Sequence, residues 1–251
     1  MLNILVNKIL DFEAPALYNV LMLNYVFLIP IDHRGIQGNC FEQYLKLQSW
    51  CDKNNSAIFT CSGLFLNFAR NFLATGGGGF KDTSPPEAEW LFWIDSDVQF
   101  SMEHIEQMIR IPKEKKFVTG WYRSDYSDKA MVGNWDEDYF RKNLHMPFTS
   151  VEWLDKLGKE NPNKLVEVDW CGFGFTKVHR SIYEQMDYPY YPLRTADIKG
   201  CDDPDKEGEK FDVHDMSFED VSFCRNVYDK LKIKPLVVPK LRVGHLKSFF
   251  V

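Results

Sequence analysis

The sequence lacks several features that would place it in a familiar class of small protein. Among its 251 residues no two cysteines stand at Cys-x-x-Cys spacing, and the six cysteines do not have zinc-ligand spacing. The formal charge is −6, so no overall basic surface attracts nucleic acid or an anionic membrane. A zinc module and a generally basic nucleic-acid-binding protein are therefore not expected, and the cysteines are typical of thiols in a reducing compartment.

Targeting and membrane-spanning signals are also missing. The apolar stretch Met1 to Leu10 has neither the basic first region nor the small-residue cleavage site of a signal peptide. The run from Ala16 to Pro30 is too short and too interrupted by polar residues to span a bilayer. We expect a cytoplasmic protein (in the host cell, if it is viral), with residues 1–24 as an extension packed on the core. Oligomeric state is left open.

What the sequence does contain indicates one α/β domain. Hydrophobic residues make up 45% of the chain and aromatic residues 15%, which is enough for a sizeable core. Tyr25 to Ile31 is typical of a buried strand, and further apolar runs alternate with segments of helical spacing. Strands that alternate with helices pair in parallel. We therefore predict a mostly parallel central sheet flanked by helices, in one domain over residues 25–251.

The segment from Leu64 to Ala74 has helical spacing. Its hydrophobic residues predict a buried face that includes Phe65 and Phe68, with Arg70 on the opposite face. The four glycines that follow, Gly76 to Gly79, are not a phosphate-binding P-loop, because no Gly-Lys-Ser/Thr follows them. They indicate a surface loop.

The most informative motif is the apolar run WLFWI that ends in Asp95-Ser96-Asp97. In a strand, side chains two residues apart point to the same face, so Asp95 and Asp97 project together from the strand end. Two neighbouring carboxylates favour a cation, and hard oxygen ligands suit Mg²⁺ or Mn²⁺ with substrate phosphates. In parallel sheets ligands bind at the carboxyl ends of the strands, where these two aspartates are expected. The alternative interpretation is a turn that caps the next helix.

A second acidic motif, Ser217-Phe218-Glu219-Asp220, stands at a predicted helix start. A carboxylate here is placed to accept a proton from an attacking hydroxyl. The alternative is a capping box in which Asp220 reaches back to the amide of Ser217. The helix dipole would keep Asp220 ionised and lower its basicity.

Two further motifs add candidate ligands. His245, in Val-Gly-His-Leu-Lys, is a plausible third metal ligand beside two carboxylates, and Lys247 is placed to balance diphosphate charge. Gly172 and Gly174 flank Phe173, a pattern that suits close backbone passage with a ring on which a sugar or base can stack. The alternatives are a structural histidine, a solvated lysine and an ordinary tight turn.

In order along the chain, these motifs resemble those of nucleotide-sugar glycosyltransferases of the GT-A fold. Ala69-Arg70-Asn71 precedes LFWIDSD, and GFGFTKVHRSIYEQM, FEDVSFC and VGH follow. The acidic motif is similar to that of the large inverting family that includes chitin and cellulose synthases. The Ala-Arg-Asn, WIDSDV and terminal His pattern is similar to the retaining Anp1 mannosyltransferases. Viral and bacterial enzymes are similar as well, including some that glycosylate hydroxymethylated bases in phage DNA.

The resemblance implies a single GT-A, Rossmann-like domain and assigns roles to matching residues. Asp97 would bind Mn²⁺ or Mg²⁺, Asp95 would contact the ribose or the metal, and His245 would be a further ligand. In the acidic motif Asp220 would be the general base, with Glu219 beside it. No Gln-x-x-Arg-Trp motif follows, so a processive polysaccharide synthase is not expected.

The remaining candidates concern the donor. The resemblance places Asp32 near the nucleobase and makes Arg70 face the nucleotide or the donor. Contacts with the donor are also expected from Gly172, Gly174 and Lys247.

The resemblance therefore implies a metal-dependent transferase of hexosyltransferase type. It would move a sugar from a nucleoside-diphosphate sugar, with UDP-sugars favoured, to a hydroxyl of a glycan or of a hydroxymethylated DNA base. Inversion with Asp220 as base is the first hypothesis. The alternatives are a retaining Anp1-like enzyme and a glycan- or nucleotide-binding protein without catalysis.

Overall fold

A computed structural model describes residues 22–31, 35–36, 38–79, 81–124 and 127–246. Within these ranges the chain forms strands and helices that alternate through the first half and are shorter in the second. The strands are β1 (Leu23–Ile31), β2 (Ser56–Ser62), β3 (Ala88–Ile94), β4 (Val98–Gln99), β5 (Phe117–Trp121), β6 (Lys129–Gly133), β7 (Phe148–Ser150), β8 (Val166–Glu167), β9 (Trp170–Cys171), β10 (Phe175–His179), β11 (Thr195–Asp202), β12 (Lys210–Met216), β13 (Leu236–Arg242) and β14 (Gly244–His245). The helices are α1 (Gly38–Lys53), α2 (Leu66–Ala74), α3 (Met102–Ile109), α4 (Glu137–Asn143), α5 (Val151–Glu160), α6 (Arg180–Tyr183) and α7 (Glu219–Leu231).

The central sheet has seven strands in the order β2-β1-β3-β10-β5-β13-β8. β1 pairs in parallel with β2 and β3, and β5 pairs in parallel with β13. β10 is antiparallel to both of its neighbours, and β8 is antiparallel to β13. Five of the seven strands therefore run in one direction. This confirms the predicted mixed α/β, Rossmann-like fold, in which a mostly parallel central sheet is flanked by helices.

Both faces of this sheet are covered, which explains the uninterrupted apolar runs. Side chains alternate between the two faces of β3: Leu91 and Trp93 join one buried cluster, whereas Phe92 and Ile94 join the other. The neighbouring strand β1 alternates in the same way, and the ring of its Phe27 stacks on Phe92 with centroids 5.1 Å apart. The two clusters fix the register of the strand that ends at the aspartates.

The parallel strands bring several chain segments to one edge of the sheet. β3 and β5 end there, and β13 ends there and continues into β14. Helix α2 begins there because it follows β2. Helix α7 also begins there, because it runs back to the opposite edge, where β13 starts. No helix in the described ranges is long and apolar enough to cross a membrane. Almost all of the predicted N-terminal extension, residues 1–24, lies outside the described residues, so its packing stays a prediction.

The helix predicted near Leu64 to Ala74 forms as α2, but its orientation differs from the prediction. Phe65 and Phe68 are exposed, whereas Arg70 and Asn71 are buried at 1% and 6% exposure. The predicted buried face was therefore wrong at the two phenylalanines, whereas its other members Ala69 and Leu73 are buried as predicted. The physical reason is that Arg70 and Asn71 have polar partners inside the protein, which offset most of the cost of their burial. Nη1 of Arg70 is buried without a hydrogen-bond partner among the described residues.

Candidate active site

Arg70 lies at the centre of the carboxyl edge of the sheet. Its Nε donates to Oε1 of Glu219 at 3.0 Å, and its Nη2 donates to both carboxylate oxygens of Asp95 at 3.0 and 3.2 Å. The guanidinium also lies over the rings of Trp93 and Phe173, 5.4 and 5.6 Å from their centroids. A buried arginine with two carboxylates forms a charge cluster that joins α2, β3 and α7.

Asp95 is held by this cluster rather than by a helix end. Its backbone carbonyl accepts hydrogen bonds from Val98 and from the Tyr44 hydroxyl, the latter at 3.0 Å. Burial raises the pKa of Asp95, and the guanidinium of Arg70 opposes that rise. The next helix, α3, is capped by Ser101 through a capping box with His104. The aspartates therefore do not cap it, which removes the structural alternative for this motif.

Asp97 lies beside His245. The two-residue ladder between β4 and β14 pairs His245 with Val98, and the amide of Leu246 donates to the carbonyl of Asp97 at 2.8 Å. This backbone pairing places His245 Nε2 3.5 Å from Asp97 Oδ2. The other ring nitrogen, Nδ1, is buried and has no hydrogen-bond partner among the described residues. An oxygen donor and a nitrogen donor thus meet at the sheet edge.

The structure does not assemble the predicted three-residue metal set. Among the described residues no group of three or more His, Cys, Asp or Glu side chains is placed to hold a metal ion. Asp97 and His245 lie together, whereas both carboxylate oxygens of Asp95 accept hydrogen bonds from Arg70. The site therefore offers a cation two side chains, a number that suits Mg²⁺ or Mn²⁺ bound together with substrate phosphates.

Asp220 stands in the first turn of α7, directly after Glu219. The residue before the helix is Phe218, which makes no side-chain cap, and Ser217 bonds instead to Ser222 and to the carbonyl of Arg194. The predicted capping box is absent from this described helix start. Asp220 Oδ1 accepts a hydrogen bond from the amide of Val221 at 2.7 Å. The amide of Ser217 donates to the carbonyl of Arg194 instead of to Asp220, so the particular capping box that was the alternative for Asp220 does not form.

The surroundings of Asp220 shift its proton affinity. Burial, and then the negative charge of Glu219, raise the pKa of Asp220 to about 7, although Arg70 acts in the opposite direction. The helix dipole was expected to lower the basicity of Asp220, but burial and the charge of Glu219 outweigh it. A carboxylate with a pKa near neutrality is suited to general-base catalysis.

The glycine motif serves a packing role that the sequence did not reveal. Gly172 and Gly174 lie against the side chain of Tyr122, where an added Cβ would stand 2.3 Å from the hydroxyl at Gly172 and 2.7 Å from Cε1 at Gly174. The Tyr122 ring also stacks on the imidazole of His245, with ring centroids 4.9 Å apart and planes at 22°. The glycines thus make room for the tyrosine that supports His245.

Phe173 is not a platform for a sugar or base. It is fully buried, as are Trp121 and, nearly, Trp170, so these rings fill the core. The predicted stacking on Phe173 was wrong because the residue points into the cluster of Tyr191 and Phe223. The loop is nevertheless tied to the site, because the carbonyl of Gly174 accepts a hydrogen bond from the amide of Asp95 at 3.1 Å.

We expect Gly172→Ala to destabilise the protein by about 1–3 kcal/mol, because the new methyl overlaps the Tyr122 hydroxyl. Chemical denaturation measures this loss. Tyr122→Phe removes the overlapping atom, so it should restore much of the stability of Gly172→Ala. It should not restore Gly174→Ala, whose overlap is with the ring carbon. Equal behaviour of the two glycine variants in the Tyr122→Phe background would contradict this packing.

Two predicted donor contacts, Asp32 and Lys247, lie outside the described residues and stay predictions. Tyr122 and Tyr44 are residues of the site that sequence reasoning missed. Both are buried, and burial raises the pKa of each hydroxyl well above its usual value. Tyr122 directly follows β5 at the carboxyl edge, and this position is the sequence signal that could have identified it.

Two cavities in the described structure lie away from the candidate site, and their linings contain neither Asp97, Asp220 nor His245. One, of about 260 Å³, is lined by Phe148, Trp153 and Glu167 among others. A second, of about 480 Å³, is lined mainly by charged residues of α5. The candidate site is therefore defined by its converging side chains.

Comparisons with known proteins show similarity in fold. No family model matches the chain, and no curated protein matches it in sequence. The crystal structure of A197 from STIV matches with a TM-score of 0.50 and 15% identity over 90% of this chain and 87% of that one. The structure of a glycosyltransferase involved in the glycosylation of the major capsid of PBCV-1 matches with a TM-score of 0.41 and 9% identity, over 90% of this chain and 95% of that one. At these identities the likeness concerns the fold alone.

Proposed function

We propose that the protein is a metal-dependent glycosyltransferase, which moves a sugar from a nucleoside-diphosphate sugar to an acceptor hydroxyl. The observation that carries the proposal is the convergence at one sheet edge of the Asp97–His245 pair and of Asp220. Neither acidic motif forms the helix cap that was its structural alternative. UDP-sugars are the favoured donors, and the proposed acceptor is a glycan or a hydroxymethylated DNA base.

Asp97 and His245 would hold Mn²⁺ or Mg²⁺. The fit rests on their chemistry: a carboxylate oxygen and an imidazole nitrogen 3.5 Å apart, with a buried Nδ1 on the same ring that lacks a described partner. When bound, the metal would stabilise the charge that develops on the departing diphosphate. The stack on Tyr122 holds the imidazole plane of His245 in place.

Asp220 would accept the proton of the acceptor hydroxyl as that oxygen attacks the anomeric carbon of the donor. Its raised pKa makes it a stronger base than an exposed aspartate. Direct displacement would invert the configuration of the anomeric carbon. A product in which that configuration is retained would mean that Asp220 has another role. The expected donor contacts of Asp32, Lys247 and the glycine loop belong to this proposal.

The proposal is tested by a Mn²⁺-dependent hydrolysis screen across UDP-, GDP- and dTDP-sugars. We expect turnover of one donor, and a loss on the order of 10²- to 10³-fold in Asp97→Ala, because stabilisation of the leaving group is removed. Asp187→Ala, which changes an exposed aspartate paired with Lys230, is the matched control and should keep full activity.

Absence of turnover with every donor would contradict the proposal. Donor binding without turnover, seen by calorimetry, would instead support the binding-protein alternative. Strong, salt-sensitive DNA binding would favour a nucleic-acid acceptor over a glycan.

A further inference from the structure

The charge cluster of Arg70 links the residues that neighbour the two proposed reaction groups. Asp95 stands two residues before Asp97 at the end of β3, and Glu219 stands directly before Asp220 at the start of α7. Arg70, in α2, is 25 positions from Asp95 and 149 positions from Glu219, so it brings together segments that are far apart in sequence. One guanidinium therefore joins the metal side of the site to the base side.

We propose that Arg70 is a positioning residue that fixes the end of β3 relative to the start of α7, and that Glu219 acts through it. The inference rests on the proposed function, because it assigns the purpose of the cluster to that reaction. It differs from the role that the resemblance implied, in which Arg70 faces the donor. Arg70 is 1% exposed, its Nε and Nη2 donate to carboxylates, and its Nη1 is buried without a partner among the described residues, so the guanidinium is enclosed by the protein.

Only arginine fits this position. A guanidinium presents five N–H donors in one rigid plane, so Nε and Nη2 can each serve a different carboxylate. A lysine has one nitrogen at the end of a flexible stem and would not bridge both partners in the same geometry. The rings of Trp93 and Phe173 restrict the plane further.

The helix that carries Arg70 is itself anchored. The side chain of Asn71 donates to the carbonyl of Tyr191 at 3.1 Å and accepts from its amide at 2.9 Å, so α2 is tied to the loop after α6. Both hydrogen bonds are buried. Arg70 therefore extends from a fixed support, and a shift of either carboxylate would break a charge-assisted hydrogen bond.

Positioning predicts a loss of turnover with little change in donor affinity, because the displaced groups act in the reaction rather than in holding the donor. Arg70→Lys, which keeps the charge, is expected to lower kcat by about 10- to 100-fold and to leave the KM for the donor within about threefold. A role in donor binding would instead raise KM.

A double-mutant cycle tests whether Asp95 and Glu219 act through one arginine. Glu219→Gln and Asp95→Asn each keep an acceptor oxygen and remove a charge. We expect each to lower kcat by about tenfold and the double variant to be no worse than about tenfold, a coupling of about 1.4 kcal/mol. Losses that multiply to about a hundredfold would overturn the proposal.

Glu87→Gln is the matched control. Glu87 pairs with Arg180 at the opposite end of β3, directly before the strand begins. This variant removes another arginine–glutamate pair, an exposed one at the far end of β3 and away from the site. We expect its kcat and KM to equal those of the wild type, and a loss similar to that of Glu219→Gln would overturn the positioning role.

Two measurements separate this inference from the proposed function. Calorimetry with Mn²⁺ alone should give Asp95→Asn a metal affinity within about threefold of wild type, whereas Asp97→Asn should lose about 10- to 100-fold. Equal losses would make Asp95 a metal ligand and overturn the inference while the proposed function stands. The second measurement is the unfolding free energy of the same variants. If the wild type shows no turnover but Asp95 and Glu219 are still coupled in unfolding free energy, the cluster is structural. That result would overturn the positioning role together with the proposed function.

Discussion

Replacement of Asp220 by asparagine is expected to reduce sugar transfer by about two to four orders of magnitude, the usual contribution of a general base. Asparagine has nearly the same shape but accepts no proton at neutral pH, so the attacking hydroxyl keeps its proton. The measurement is the rate of transfer to acceptor with donor and Mn²⁺ saturating. Asp229→Asn, in the same helix and in an exposed pair with Arg194, is the control and should keep full activity.

The pH dependence of the same reaction follows from the raised pKa of Asp220. The base acts in its deprotonated form, so kcat/KM should rise as pH increases through about 7 and level off above it. A limb near pH 4, the ordinary range for an aspartate, would mean that Asp220 is not the group that titrates. A full rate in Asp220→Asn would exclude it as base.

The same shift affects stability without any need for turnover. The pKa of Asp220 is about 7 in the folded protein, above its ordinary 3.8, so the folded state binds the proton more tightly than the unfolded state. Its contribution to stability is therefore present below about pH 4 and is lost as pH rises towards 7. Relative to Asp220→Asn, the wild type should lose unfolding free energy over this window.

The fold was predictable because long apolar runs have one stable use in a domain of this size. The run before Asp95 has to be buried on both sides, and a central strand covered by helices provides that. The capping of α3 by Ser101 was also predictable from local chemistry, because a serine side chain accepts a hydrogen bond from an amide of the first helical turn. Strands β11 and β12, which pair as a separate exposed hairpin, lack such a run and were not predicted.

The orientation of α2 was not predictable from periodicity. A helical pattern gives the spacing of residues, and the face with more phenylalanine was taken as the buried one. The structure buries Arg70 instead, because its partners come from β3 and α7, far away in sequence. Partners of this kind are set by tertiary structure, and no local pattern reports them.

The site was predictable in part for the same reason. Asp97 and Asp220 stand in recognisable motifs, whereas Tyr122 carries no motif and is identified by its stack on His245. The two glycines were noticed as points of close approach, and the group that approaches them is a tyrosine of the protein itself. Sequence reasoning named the candidate groups but not the packing that surrounds them.

Replacement of Arg70 by methionine is expected to destabilise the fold by about 3–5 kcal/mol, the usual cost of breaking a buried ion pair. The side chains of Asp95 and Glu219 are 20% and 7% exposed, so two carboxylates would be left with little compensation. Denaturant unfolding measures the loss. Arg110→Met, which breaks an exposed pair with Glu106, should cost less than about 1 kcal/mol.

The charge of the two carboxylates, rather than the lost packing of the arginine stem, should account for most of this cost. Protonation removes that charge, so the stability difference between wild type and Arg70→Met should narrow as pH falls through the raised pKa of Asp95. Adding Asp95→Asn and Glu219→Gln to Arg70→Met should likewise recover much of the lost stability, because no buried charge remains unpaired. A deficit that stays constant with pH and persists in the triple variant would show that Arg70 stabilises the fold by packing against Trp93 and Phe173. In that case the guanidinium would not be what fixes α7 against β3.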